Sequence, residues 1–271
     1  MPAPAPAKAP DPVLGQAPAS ENEAPKQAAA VPIPEVLYLT GDNSSGKTTM
    51  GQHIADTHRE WHCIDGDEFV NGDPQLLELL IAASKQVVHL MRGSFEDHLD
   101  GKDLVEEAKK HDAEVKAAWE PVFRAICEKL KQVKERKIVF VYHIYRQSNV
   151  DIIREHFPRV KFAEVQVTRS LLLDRYVSRM EKGDERKDPE KGGRAGVDLK
   201  ALWRDNKGEP ITMLRERYGP EYEGNEEQFK KFVEWRYIFW REPVWEDPKN
   251  NFCVVNNDNF DGARQLETIL A

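Results

Sequence analysis

Val36-Leu37-Tyr38-Leu39-Thr40-Gly41-Asp42-Asn43-Ser44-Ser45-Gly46-Lys47-Thr48 passes from an apolar, β-favouring run straight into G-x-x-x-x-G-K-[ST], complete from Gly41 to Thr48. Residues 36–40 read as a buried strand and residues 47–60 as a helix, so a glycine-bounded loop joins a strand end to a helix start. Gly41 and Gly46 let the backbone turn and approach a ligand closely. The N–H groups of Asp42, Asn43, Ser44, Ser45 and Gly46 then line an anion nest at the positive end of the helix. Lys47 can reach β- and γ-phosphates, and the Thr48 hydroxyl can ligate Mg2+, with Thr49 next in the first turn. The plain alternative is a Gly/Ser turn that binds nothing. The strand before the loop and the helix after it favour the phosphate reading.

Away from this loop, further apolar runs at 62–65, 137–143, 162–167 and 252–255 alternate with helical patterns at 75–91, 104–134, 149–156, 170–179 and 263–270. Strands that are apolar almost throughout are buried on both faces, and helical crossovers make them parallel. The expected fold is one α/β domain over 35–271, a P-loop NTPase fold. It has a five-stranded parallel sheet with helices on both faces. Two stretches interrupt the alternation. Residues 72–134 form a helical region between the second and third strands, and residues 180–248 separate the fourth and fifth. The second opens with EKGDERKDPEKGGR, suited either to a lid carrying Lys182, Arg186 and Lys187 or to a solvated loop. Its later stripe of Phe229, Phe232, Val233, Tyr237 and Trp240 reads as core packing. Residues 1–34 hold nine of the seventeen prolines and ten alanines, too little apolar surface to offset ordering, so a disordered tail is expected there.

Composition narrows the function. With 39 Lys+Arg against 47 Asp+Glu, the net charge of −8 argues against nucleic acid as a partner. No apolar run is long enough to span a bilayer as a helix, and three scattered cysteines suit a reducing compartment, the cytoplasm. A GTPase needs N-K-x-D after a late strand, but residues 256–259 read Asn-Asn-Asp-Asn. No L-S-G-G-Q is present, and the third strand runs into Tyr142-His143 rather than ending in an aspartate. Motors and switches are disfavoured. The oligomeric state is not legible.

Carboxylates and arginines follow the strands. Asp65-Gly66-Asp67 closes the second, where the carboxyl ends of adjacent strands border a ligand crevice. One carboxylate there can hold Mg2+ through water, and another can accept the proton of a substrate hydroxyl; an Asp–Gly turn is the simpler reading. Arg146, beyond the third strand, is suited to an anionic substrate or the migrating phosphoryl group, or to solvent. Arg175 and Arg179, four apart, share one helix face before the charged stretch. Lys85 and Arg92 are possible acceptor contacts or solvated charges.

Together, the loop at 41–48, Asp65-Gly66-Asp67 and Asp174-Arg175-x3-Arg179 resemble the nucleoside-monophosphate-kinase-like group of small-molecule kinases. Residues 65–69 look like the D-x-D of shikimate kinases and the D-G-D of gluconate and adenylyl-sulfate kinases. Tyr145-Arg146, Asp151 and Arg154 are similar to the segment after strand three in the latter two. The resemblance implies ATP-dependent transfer of a γ-phosphoryl group to a hydroxyl of a polar or anionic metabolite. It makes Asp67 the substrate-hydroxyl base, Asp65 a water-mediated Mg2+ contact, Arg175 the adenine-stacking arginine and Arg179 a phosphate contact. It also makes 72–134 the acceptor region; residues 180–248 read as a lid and helical insert, and the resemblance does not extend to 197–248. The three-glycine shikimate loop is absent, and of the gluconate-type D-D-R-x-P-W only Trp119 near Pro121 is at all comparable. A nucleotide or polynucleotide-end kinase and a non-catalytic ATP-binding scaffold remain the alternatives.

Overall fold

Val36 to Gly41 are all buried in β1 (Glu35–Gly41), so this strand has no solvent face and must lie between two layers. The computed structural model describes residues 33–103, 106, 109–168, 170–172, 174–175, 244–259 and 262–270. In it β1 is the middle of a five-stranded sheet with β2 (Trp61–Asp65), β3 (Lys137–Val141), β4 (Lys161–Gln166) and β5 (Phe252–Asn256). All four pairings are parallel and the order is β2-β3-β1-β4-β5. Tyr38 stands opposite Phe140 on one side and Phe162 on the other.

Alternation along β1 sorts the core into two halves. Val36 and Tyr38 join Ile138, Phe140 and Phe162 on one face. Covering them are Val115, Trp119, Phe123 and Ile126 of α4 (Asp112–Lys131), with Ile152 and Ile153 of α5 (Gln147–His156). Leu37 and Leu39 face the other way with Val139 and Val141, beneath Met50 and Ile54 of α1 (Lys47–Thr57) and Leu266 of α6 (Gly262–Leu270). The result is a three-layer sandwich around one sheet, the arrangement expected for an α/β P-loop fold. Neighbours β3 and β4 leave β1 in opposite directions, so the loop after β1 opens at the point where strand order reverses. That is where open α/β sheets form a ligand crevice.

Three boundaries differ from expectation, each through a contact remote in sequence or a helix cap. β3 stops at Val141 because the chain then crosses the end of β1: Tyr142 N–H donates to Leu39 O at 3.1 Å, and Ile144 N–H to Thr40 Oγ1 at 3.1 Å. Asp65-Gly66-Asp67 is a helix start, not an open turn, with Asp65 capping α2 (Gly66–Gly72). The helix expected over 104–134 is interrupted at His111 (φ −103°, ψ 2°), after which α4 starts with Asp112 and Glu114 favourably placed against its dipole. α3 (Pro74–Leu99) starts under Asp73, whose Oδ1 accepts from Gln75 and Leu76 N–H and whose Oδ2 pairs with Lys129 of α4 at 2.8 Å. The helical region between β2 and β3 is thus tied at one end to the layer above the sheet. Residues 176–243, with most of the expected lid and all of the aromatic stripe, lie outside the described residues, as does the tail over 1–32.

Candidate functional site

The loop after β1 has a backbone that only its sequence tolerates. Ser44 and Gly46 have positive φ, 70° and 92°, left-handed turns of the kind from which anion nests are built. Gly41 is required by crowding: a Cβ there would stand 2.5 Å from Val165 O and 2.8 Å from Ser45 Oγ. Ser45 N–H donates to Asp42 O at 3.1 Å, and Met50 N–H to Gly46 O at 3.0 Å, which joins the loop to the first turn of α1. Lys47 Nζ folds back to donate to Asp42 O at 3.3 Å. The hydroxyls of Ser44 and Ser45 are buried with no hydrogen-bond partner among the described residues. Buried donors left unmet are costly, and a phosphate oxygen is the kind of acceptor that would satisfy them. The residues present therefore fit a phosphate-bearing ligand. Asp42 and Asn43 are half-buried along the loop, and Thr49 is exposed.

From the second strand comes the acid. Asp65 uses both carboxylate oxygens: Oδ1 accepts from Asp67 N–H (2.9 Å) and Glu68 N–H (3.3 Å), and Oδ2 accepts from Thr48 Oγ1 at 3.1 Å. The helix cap thus fixes the carboxylate, and the fixed carboxylate meets the last residue of the loop. A hydroxyl beside a carboxylate, in a setting where phosphate oxygens would complete the shell, is a donor set suited to Mg2+. Asp67 follows on the first turn of α2 with its side chain exposed. Gly66 lies between them against the ring of Tyr142, where a Cβ would be 2.4 Å from Cδ2. Burial pushes the Tyr142 phenol well above its usual pKa, with Tyr145, Asp67 and Asp65 adding to the effect.

The segment after β3 is strapped over the sheet edge. Tyr38 OH donates to His143 O at 3.0 Å, His143 stacks on Tyr145 (5.7 Å between ring centroids), and Tyr145 packs on Trp119 at 4.9 Å. Arg146 stands at this edge, 5 % exposed, but points into an ion pair: Nε meets Asp112 Oδ1 at 2.8 Å, and one terminal nitrogen donates to Tyr145 O at 3.1 Å. It joins the starts of α4 and α5. Arg175 donates from one terminal nitrogen to Asn257 O (3.1 Å) and Asp258 O (3.2 Å), in the turn after β5. Lys85 is exposed on α3. Arg179 and the cations of the expected lid, and the side chain of Arg92, lie outside the described residues.

One contact had no counterpart in the sequence reading. Asn257 is 4 % exposed and donates from Nδ2 to Ser45 O at 2.8 Å. The Asn-Asn-Asp-Asn run at 256–259 excludes a guanine-reading motif, and a cluster of amides beyond the last strand is the signal it offers. Nothing in the sequence said which of them turns toward the loop.

A parallel sheet of this order with a complete G-x-x-x-x-G-K-T loop at its switch point defines the class: an α/β protein with a P-loop. Neither a family model nor a curated protein matches the chain. Among solved structures it is similar to an unliganded sugar kinase from Janibacter sp. HTCC2649 (12 % identity, TM-score 0.41, 88 % of this chain and 92 % of that one). It is also similar to a gluconokinase from Sinorhizobium meliloti 1021 (16 % identity, TM-score 0.40, 88 % and 96 %).

Proposed function

We propose that the chain is an ATP-dependent phosphotransferase that moves the γ-phosphoryl group to a hydroxyl of a small polar or anionic metabolite. The observation that carries this reading is the 3.1 Å contact between Thr48 and Asp65, which sets a carboxylate from one strand against a phosphate loop from another. The loop N–H groups and Lys47 hold and neutralise the phosphates, and Thr48 with Asp65 would hold Mg2+, which supplies further neutralisation of charge during transfer. Asp67 serves as base: the acceptor oxygen bonds to the γ-phosphorus, the bond to the bridging oxygen breaks and ADP leaves, while the hydroxyl proton passes to the carboxylate. Arg146, buried at the same sheet edge and paired with Asp112, would have to leave that ion pair to hold an anionic group, and Arg175 borders the nucleotide from the turn after β5. The working domain is 35–271, with residues 72–134 forming the acceptor wall and the lid cations and Arg179 closing over ATP.

Replacing Asp67 with Asn tests this. Affinity for a fluorescent ATP analogue should stay within about threefold, whereas transfer to a panel of polyols, sugars and hydroxy acids should fall by roughly 10²–10⁴-fold. A wild-type protein that binds the analogue yet releases no acceptor-stimulated ADP across the panel would favour the scaffold reading instead.

A further inference from the structure

We infer that Asn257 is a positioning residue for the phosphate loop, locking the Ser45–Gly46 peptide so that its carbonyl faces away from the ligand and its N–H faces toward it. Ser45 O accepts from Asn257 Nδ2 at 2.8 Å within the protein interior. The peptide is trans, so the Gly46 N–H points to the opposite side, where the loop is open to a ligand.

Such a lock is needed because the loop does not hold this plane by itself. Gly46 sits at φ 92°, and glycine populates both signs of φ with similar ease. Rotation of the 45–46 peptide would turn a carbonyl oxygen toward the anion and remove one donor from the nest. Asn257 is well placed to prevent this because it is itself held from three directions. Its own N–H donates to Gln166 O at 2.8 Å, extending the β4–β5 ladder by one residue. Its carbonyl accepts from Arg175 at 3.1 Å. The adjacent Asp258 accepts from Thr168 N–H at 2.7 Å through Oδ1. The fit with Gly46 is close: a Cβ at that position would lie 2.6 Å from Asn257 Nδ2, so the glycine is demanded by the amide behind the loop as much as by its own φ.

This inference rests on the phosphate-loop reading only for its functional consequence; the lock itself can be measured without nucleotide. The experiment compares the full chain with Asn257→Ala and with Asn257→Asp, which keeps the shape and loses the donor. In nucleotide-free protein, amides of residues 43–48 should exchange with deuterium at least tenfold faster in both variants, while those of β1 and β3 keep wild-type protection. A fluorescent ATP analogue should bind at least tenfold more weakly to both, about 1.4 kcal/mol. Loop exchange within twofold of wild type in both variants would overturn the proposal, as would wild-type behaviour of Asn257→Asp. Loss of protection spreading through β1 and β3 would also overturn it, since Asn257 would then hold the fold rather than the loop. A wild type that fails to bind the analogue, with loop protection still lost on substitution, supports the lock and counts against the nucleotide reading alone.

Discussion

Asp65, Gly66 and Asp67 show what a residue's neighbours add to its identity. Two acids at the end of a strand were legible as a carboxylate pair; why a glycine separates them was not, because the cause is the ring of Tyr142, just past the end of β3. A Cβ at position 66 would lie 2.4–2.7 Å from two atoms of that ring and from the Tyr142 Cβ, and Tyr142, 3 % exposed, cannot swing into solvent. Gly66→Ala should therefore cost about 1–3 kcal/mol by overpacking, lowering the melting midpoint by roughly 2–12 °C in calorimetry. An unchanged midpoint would mean that the ring has room the structure does not show. The cysteines make a second test at this scale. Burial pushes the Cys127 thiol up to about 12 and that of Cys63 to about 11. At pH 8 so little thiolate remains that iodoacetamide should label both on the order of a hundredfold more slowly in native protein than in urea. Peptide mapping after brief alkylation measures this, and rapid labelling of Cys127 would contradict its burial on the core face of α4.

Elements were more legible than their ends. Apolar runs located all five strands and periodicity located the longer helices, since both signals are local; the short α2 (Gly66–Gly72) went unseen. Boundaries depend on caps and crossovers that involve other parts of the chain. α5 is an example: Asn149 Oδ1 accepts from the N–H of Tyr145 at 3.1 Å and of Arg146 at 3.0 Å, and the residue is 1 % exposed. Asn149→Ala leaves two buried donors unmet and should lower the unfolding free energy by about 1–3 kcal/mol, with an unchanged urea m-value. Asn149→Asp, which keeps the acceptor, should cost less. The other end of α5 responds to pH. Burial, reinforced by Lys131 and partly opposed by Glu128, holds the His156 imidazole below its usual pKa. Between that lowered value and about 6.5 the unfolded chain binds more protons than the native one, so this group's contribution to stability falls as pH drops through that window. Urea unfolding at pH 7.5 and 5.5 should show a smaller loss in His156→Gln than in wild type; an identical loss would assign the effect elsewhere.

At the scale of the whole molecule, parallel pairing was legible because helices separate the strands, whereas the order β2-β3-β1-β4-β5 is a matter of which crossover passes over which strand. That order is what places the turn after β5 within reach of a loop 212 residues earlier in the chain, a contact for which no local signal exists. It also makes ligand binding a property of the entire fold, since the loop, the Asp65 carboxylate and the Asn257 amide come from three strands that meet only in the native state. A nucleotide held there binds the folded protein and not the unfolded chain, and so must raise its stability. At a hundred times the dissociation constant the gain is about 2.7 kcal/mol, or roughly 5–11 °C in melting midpoint. ATP with Mg2+ should produce this shift in wild type. Adenosine, which offers the loop no phosphate, should produce almost none, and Lys47→Ala should lose most of the ATP effect. An equal shift from adenosine would place the binding energy on the base and away from residues 41–48, and the phosphate loop would then have no part in holding the ligand.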